Sequence, residues 1–160
     1  MSRQRRPAAR LAIPLAVAAV VIVLDQVTKS IAVAALSDGP THLFWTLDLD
    51  LSFNSGAAFS MGTGLTPYIT VAVVILAGGL LVLSHRVDHT PTAASLGLVL
   101  GGALGNLSDR LLRGHGGAVV DFIDFEWWPV FNVADIAISV GAVLLVLMSF
   151  RREPSERVDA

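Results

Sequence analysis

Asp121 and Asp135 each border an apolar segment, where two carboxyl groups can work as a pair. Carboxyl groups brought close together cannot both ionise freely, so one proton is shared near neutral pH. The ionised member takes a proton from water, and the protonated member gives one to the carbonyl oxygen of a peptide bond. Hydrolysis by this route needs neither a nucleophilic side chain nor a metal. Asp121 follows Gly116-Gly117-Ala118-Val119-Val120, which predicts a bend and then a short extended segment. Its apolar flanks, Val120 and Phe122-Ile123, predict partial burial. Asp135 sits in Asn132-Val133-Ala134-Asp135, the opening of a helix. An Asn N-cap followed three residues later by an acid resembles a capping box, so Asp135 has a structural role open to it as well. The two roles are compatible, because a helix N-terminus holds a carboxylate in place.

Other ionisable residues interrupt the oily stretches. Asp25 and Lys29 are spaced i,i+4 on one helix face, the spacing of an internal ion pair. Asn106, Asp109 and Arg110 share a face at the end of a third apolar segment. Arg110 has two readings, a site residue or a side chain snorkelling to the membrane interface. A charge in the bilayer costs about 2.5–3.5 kcal/mol on insertion scales, so each of these residues is a functional candidate.

The elements that must position them are helical. The chain has 160 residues, 54% hydrophobic and 15% charged, with mean hydropathy +0.69. A soluble domain carries about 25% charged residues. Four apolar runs, at about 11–36, 65–84, 92–112 and 131–150, each approach the ~20 residues that span a bilayer. They do not alternate, which excludes barrel strands. The fold class expected is an all-α membrane protein with four transmembrane helices in a single domain over residues 1–160. The first run is too long for a cleaved signal peptide and is broken by Asp25 and Lys29. Arg3, Arg5, Arg6, Arg10, Arg86, Arg151, Arg152 and Arg157 fall on one side, so both termini are predicted cytoplasmic. The loops at about 37–64 and 113–130 are then outside, where most of the acids lie.

The first outer loop alternates Leu47, Leu49, Leu51 and Phe53 with Thr46, Asp48, Asp50 and Ser52, which predicts a strand with one apolar face. In the third helix, Gly97, Gly101, Gly102 and Gly105 predict close helix packing. Trp127 and Trp128 read as interfacial anchors. With no cysteine, thiol catalysis and disulfides are excluded. His85 and His89 fall in the cytoplasmic loop, and His42 and His115 have no ligand spacing, so neither metal nor cofactor is expected. A net charge of −2 gives no reason to expect nucleic acid as a partner.

Four blocks, taken together, resemble the lipoprotein signal peptidase (signal peptidase II) family of bacterial membrane aspartic proteases. They are Asp25-Gln26-Val27-Thr28-Lys29; Asn54-Ser55-Gly56-Ala57-Ala58-Phe59-Ser60; Gly101-Gly102-Ala103-Leu104-Gly105-Asn106-Leu107-Ser108-Asp109-Arg110 running on to Val119-Val120-Asp121-Phe122; and Phe131-Asn132-Val133-Ala134-Asp135. The resemblance implies removal of signal peptides from diacylglyceryl-modified prolipoproteins, by cleavage before the lipidated cysteine. It implies that Asp121 and Asp135 are catalytic. Asn54, Asn106, Arg110 and Asn132 would orient substrate or acids, with Gly56, Ala58, Asp109 and Ala134 counted among the binding or supporting residues. Asp25 and Lys29 would be structural. It further implies a small extracytoplasmic β-platform in the first outer loop, an inner-membrane location, lipid and prolipoprotein partners, and sensitivity to the cyclic peptide globomycin. A monomer is expected. Ile136 departs from the family, where many members have serine.

The rival reading is a small proton- or ion-coupled transporter or channel subunit. It fits less well, since such proteins often show inverted repeats and midplane sites, whereas the acids here lie at one surface. A scaffold with Asp135 as a mere cap leaves the gathering of Asn54, Asn106, Arg110 and Asp121 unexplained.

Overall fold

A computed structural model describes residues 7–56, 66–87 and 89–150. The order is α1 (Pro7–Ala35), β1 (Thr41–Phe44), β2 (Leu47–Asn54), α2 (Thr66–Ser84), α3 (Thr90–Leu112), β3 (Val119–Asp124) and α4 (Val133–Ser149). The helices fall within a few residues of the apolar runs. α1 ends where Gly39 takes φ 136°, in the breaker sequence after Leu36.

The helical surface is inverted relative to that of a soluble protein. Ile75 is 70% exposed, and Val20, Val23, Ile31 and Val71 also face outward, while Asp25 and Lys29 are 0% exposed. Two helical stretches, Arg10–Ala35 and Pro67–Ser84, are long and apolar enough to cross a membrane, and Val133–Ser149 is a shorter apolar helix. α3 is the central helix, packed against both α1 and α4, with α2 on its flank. Its glycines permit this approach. A Cβ on Gly101 would stand 2.7 Å from Val21 Cβ of α1, and one on Gly105 would stand 2.7 Å from Asp25 Oδ2.

At one end of the helices lies a three-stranded antiparallel sheet, in the order β1-β2-β3. Ala32 and Leu36 of α1 pack there with Phe122, Leu49 and Leu51. The starts of α1 and the ends of α2 meet at the opposite end, where Arg10 Nη1 donates to the His85 carbonyl at 3.3 Å.

The sheet corrects two expectations. It is not confined to the first loop, because β3 comes from the second and pairs with β2. The description all-α is too narrow for the same reason. Nor do Leu47, Leu49, Leu51 and Phe53 form one continuous face. Leu49 stands opposite Ile123 and Ser52 opposite Asp121, so Asp50 and Leu51 together oppose Phe122. This β-bulge advances β2 by one residue and reverses its alternation relative to β3. Phe53 is consequently half-exposed and lies against His115, with ring centroids 4.6 Å apart.

Candidate active site

The bulge determines what Asp121 faces. In an uninterrupted ladder Leu51 would oppose Asp121 and Phe53 would oppose Val119, placing the apolar set of β2 beside the carboxylate. With the extra residue, Ser52 opposes Asp121 and Asn54 opposes Val119 on the same face. Asn54 Nδ2 then donates to Asp121 Oδ2 at 3.0 Å. The Asn54 amide is held in that sense because its Oδ1 accepts from the Gly56 backbone N–H at 2.8 Å. Gly56 itself takes φ 78°, and a Cβ there would stand 2.5 Å from Ile69 Cδ1. Ala58 lies outside the described residues.

β3 also binds the entry to α4. Phe131 exchanges backbone hydrogen bonds with Ile123, at 2.9 and 3.1 Å, so Asn132 follows directly beside Asp121. Asn132 Nδ2 donates to Asp121 Oδ1 at 2.6 Å and lies 3.3 Å from the Val120 carbonyl. The same residue is the N-cap of α4 in a complete capping box. Its Oδ1 accepts from Asp135 N at 3.0 Å, and its backbone N–H donates to Asp135 Oδ2 at 3.2 Å. The other Asp135 oxygen, Oδ1, accepts from Asn106 Nδ2 at 2.9 Å. Asp135 thus caps the helix and also lies in the polar cluster.

Beneath this pair lies a buried ionic cluster. Lys29 Nζ donates to Asp25 Oδ2 at 2.9 Å, Asp109 Oδ2 at 2.8 Å and Asn106 Oδ1 at 2.9 Å. Three donors on one ammonium are therefore all engaged. An ammonium cannot accept, so it fixes the Asn106 oxygen towards itself and the amide nitrogen towards Asp135. Asp25 Oδ1 accepts from the backbone N–H of Ala134 at 3.0 Å, tying α1 to the first turn of α4. Ala134 is fully buried and contributes this backbone link. The predicted Asp25–Lys29 pair is present, but as part of a cluster that includes α3.

Arg110 Nη1 donates to the Asn106 carbonyl at 3.3 Å, and its buried Nε has no partner among the described residues. It lies within the electrostatic reach of both Asp121 and Asp135. Two participants were not singled out as site residues from sequence, Gln26 and Arg113. Gln26 Nε2 donates to Asp109 Oδ1 at 2.9 Å, and Arg113 Nε donates to the same oxygen at 3.0 Å. The i,i+4 spacing from Asp109 to Arg113 was the available signal.

Burial pushes the Asp121 carboxyl above the usual carboxylate range. The hydrogen bond from Asn54 opposes that rise, the nearby Asp135 charge adds to it, and Asn132 opposes it. Asp135 opens onto a groove of about 260 Å³ lined by Trp128, Phe131, Ile136, Ser139 and Val140. The arrangement supplies two carboxyl groups, orienting amides, a nearby guanidinium and an apolar recess beside one acid.

The family model described as signal peptidase (SPase) II matches residues 17–151. The lipoprotein signal peptidase of Mycobacterium avium (strain 104) is 46% identical over 151 residues, covering 91% of this chain and 83% of that protein. The lipoprotein signal peptidase of Mycolicibacterium smegmatis is 45% identical over 168 residues, covering 96% and 72%. Among solved structures, a bacterial membrane enzyme determined by the in meso method at 2.3 Å superposes with a TM-score of 0.77 at 25% identity, covering 92% of this chain and 93% of that one. Another, at 1.9 Å, gives a TM-score of 0.78 at 27% identity, covering 88% and 94%.

Proposed function

The chain belongs to the signal peptidase II family, and we propose that it removes signal peptides from diacylglyceryl-modified prolipoproteins with Asp121 and Asp135 as the catalytic pair. The observation that carries this reading is the position of Asn132, hydrogen-bonded to both acids at once. One residue thereby sets their mutual geometry. Charge balance supports it as well. Asp25, Asp109, Asp121 and Asp135 are four carboxylates, and Lys29, Arg110 and Arg113 are three cations in the same connected cluster. The cluster is neutral when the pair Asp121/Asp135 holds one proton.

The pair titrates as a unit, with burial biasing the proton towards Asp121. Ionised Asp135 takes a proton from water as the oxygen attacks the carbonyl carbon before the lipidated cysteine. Asp121 gives its proton to the carbonyl oxygen, forming a tetrahedral gem-diol. The Asp135 proton then passes to the amine nitrogen as the C–N bond breaks. Asp121 regains its proton from the collapsing hydroxyl, which restores the starting state. Arg110, Asn54 and Asn106 orient the acids and the substrate backbone, with Gly56 and Ala58 in the same loop. Asp25, Lys29, Asp109 and Ala134 hold the helices that carry them.

In this reading a single peptidase domain crosses the bacterial inner membrane four times, with both termini cytoplasmic and the sheet extracytoplasmic. The site then lies at headgroup level, where the anchored lipid and the apolar signal segment already hold the scissile bond. The groove beside Asp135 is open to that substrate. The transport reading is not favoured, because the acids gather at one end of the helices.

The test is cleavage of a diacylglyceryl-modified precursor by the wild type, Asp121→Asn and Asp135→Asn, with unlipidated precursor as control. Cleavage of the lipidated form alone, absent from both folded variants, is expected. Full activity in either variant would return that aspartate to a structural role.

A further inference from the structure

We propose that Arg113 is a positioning residue for Asp121, acting through the Asp109 carboxylate. The inference rests on the peptidase reading of Asp121. Asp109 is fully buried and accepts four hydrogen bonds, two on each oxygen. Oδ1 receives Gln26 Nε2 at 2.9 Å and Arg113 Nε at 3.0 Å. Oδ2 receives Lys29 Nζ at 2.8 Å and the backbone N–H of Val120 at 3.0 Å. The last bond holds β3 one residue before Asp121. The carbonyl of the same Val120 faces Asn132, so both polar groups of that peptide are engaged.

Arg113 fixes the other side of this carboxylate. Its Nη2 donates to the Gln26 backbone carbonyl at 3.2 Å and to Gln26 Oε1 at 3.0 Å. Both terminal nitrogens lie 3.4 Å from Ser30 Oγ. A planar fork thus spans α1 and α3 while aiming one N–H at Asp109. Gln26 is oriented in turn, since its oxygen faces the guanidinium and its nitrogen faces Asp109. Without Arg113, Asp25 and Asp109 would share the single charge of Lys29, and the Asp109 carboxylate would lose one of its two Oδ1 donors together with the group that orients the other, Gln26. Val120 and Asp121 would follow the carboxylate.

A positional effect of this kind acts on the chemical step more than on substrate binding, because Arg113 lies on the α1 side of Asp109. Arg113→Ala is expected to lower kcat by about 10- to 100-fold, the range for a small misplacement of a catalytic group, with KM within about twofold. Arg113→Lys restores a charge but not the fork, and is expected to fall between them. Rates are taken per folded enzyme, with the folded fraction measured by size exclusion in detergent. If Arg113→Ala yields no folded protein, Arg113→Met carries the test, since it keeps the length of the side chain but has no N–H to donate to Asp109. Wild-type kcat per folded molecule in the variant tested, with only a lower melting temperature, would overturn the inference and make Arg113 a stabilising residue. So would a change in KM alone. Wild type and Asp121→Asn are assayed in parallel. Activity in Asp121→Asn, or none in wild type, removes the peptidase reading and this inference with it. Loss in Asp121→Asn alongside full activity in the Arg113 variants removes only the inference.

Discussion

Asn132 Nδ2 lies 2.6 Å from Asp121 Oδ1, although the two residues belong to different elements and Asn132 is at the same time the N-cap of α4. Capping and bridging can be separated by substitution. Asn132→Ser keeps a capping oxygen, which is worth about 1 kcal/mol at such a position, but is too short to reach Asp121. Its melting temperature is expected to stay near wild type, while kcat falls by about 10²-fold or more, as for loss of organised acid–base catalysis. Thermal melts and turnover on the same preparation check this. Equal losses in Asn132→Ser and Asn132→Ala, both tracking stability, would reduce Asn132 to a cap.

The raised Asp121 carboxyl predicts how stability varies with pH. A group whose folded pKa lies above its unfolded value, about 3.9 for aspartate, favours the fold fully below that unfolded value. The contribution is lost as pH rises through the raised value. Asp121→Asn cannot ionise, so its melting temperature should gain on wild type as pH rises through this window. Parallel curves for the two proteins would contradict the direction of the shift.

The same proton shapes activity. If the pair works with one proton, kcat/KM should follow a bell-shaped pH profile. The acid limb marks protonation of the second carboxyl, and the alkaline limb marks loss of the shared proton. The alkaline limb should fall above the ordinary carboxylate range, because burial raises Asp121. A flat profile across the range where wild type stays folded would argue against a shared proton.

Asp25→Asn tests the structural role of the ionic cluster. Removing one partner from a buried charge cluster costs about 3–5 kcal/mol, here because Lys29 loses a carboxylate at 2.9 Å. Yield and thermal stability should fall together with activity. Intact stability with abolished turnover would make Asp25 part of the chemistry.

Sidedness is open to a direct chemical test, because the chain has no cysteine. In intact cells a membrane-impermeant maleimide should label His42→Cys on β1, next to the exposed hairpin tip, and should leave Arg86→Cys unlabelled until the cells are broken. The reverse pattern would invert the proposed topology.

The helices were legible because each apolar run is long and its punctuation is local, as at Ser37-Asp38-Gly39-Pro40 and Asn132. The capping box was legible for the same reason. The Asp25–Lys29 pair could be read from i,i+4 spacing, but its extension to Asp109 and Asn106 depends on how closely α3 approaches α1, which spacing within one helix does not give. Gln26 was not singled out because its partners Asp109 and Arg113 are 83 and 87 residues away, and Arg113 had only its i,i+4 spacing from Asp109 to announce it. The bulge was invisible for a different reason. β2 alone shows clean alternation, and only pairing with β3 reveals that one residue is supernumerary.

That supernumerary residue is a margin built into the outer strand. Deleting one residue between Leu49 and Ser52 would leave a single residue opposite Phe122, with Leu49 still opposite Ile123 and Ser52 still opposite Asp121. The ladder would become regular without moving the polar set away from the carboxylate. Deleting both residues would instead bring Phe53 opposite Asp121 and put a hydrocarbon wall where the amide stands. The strand can therefore lose one residue and keep its chemistry, but not a second.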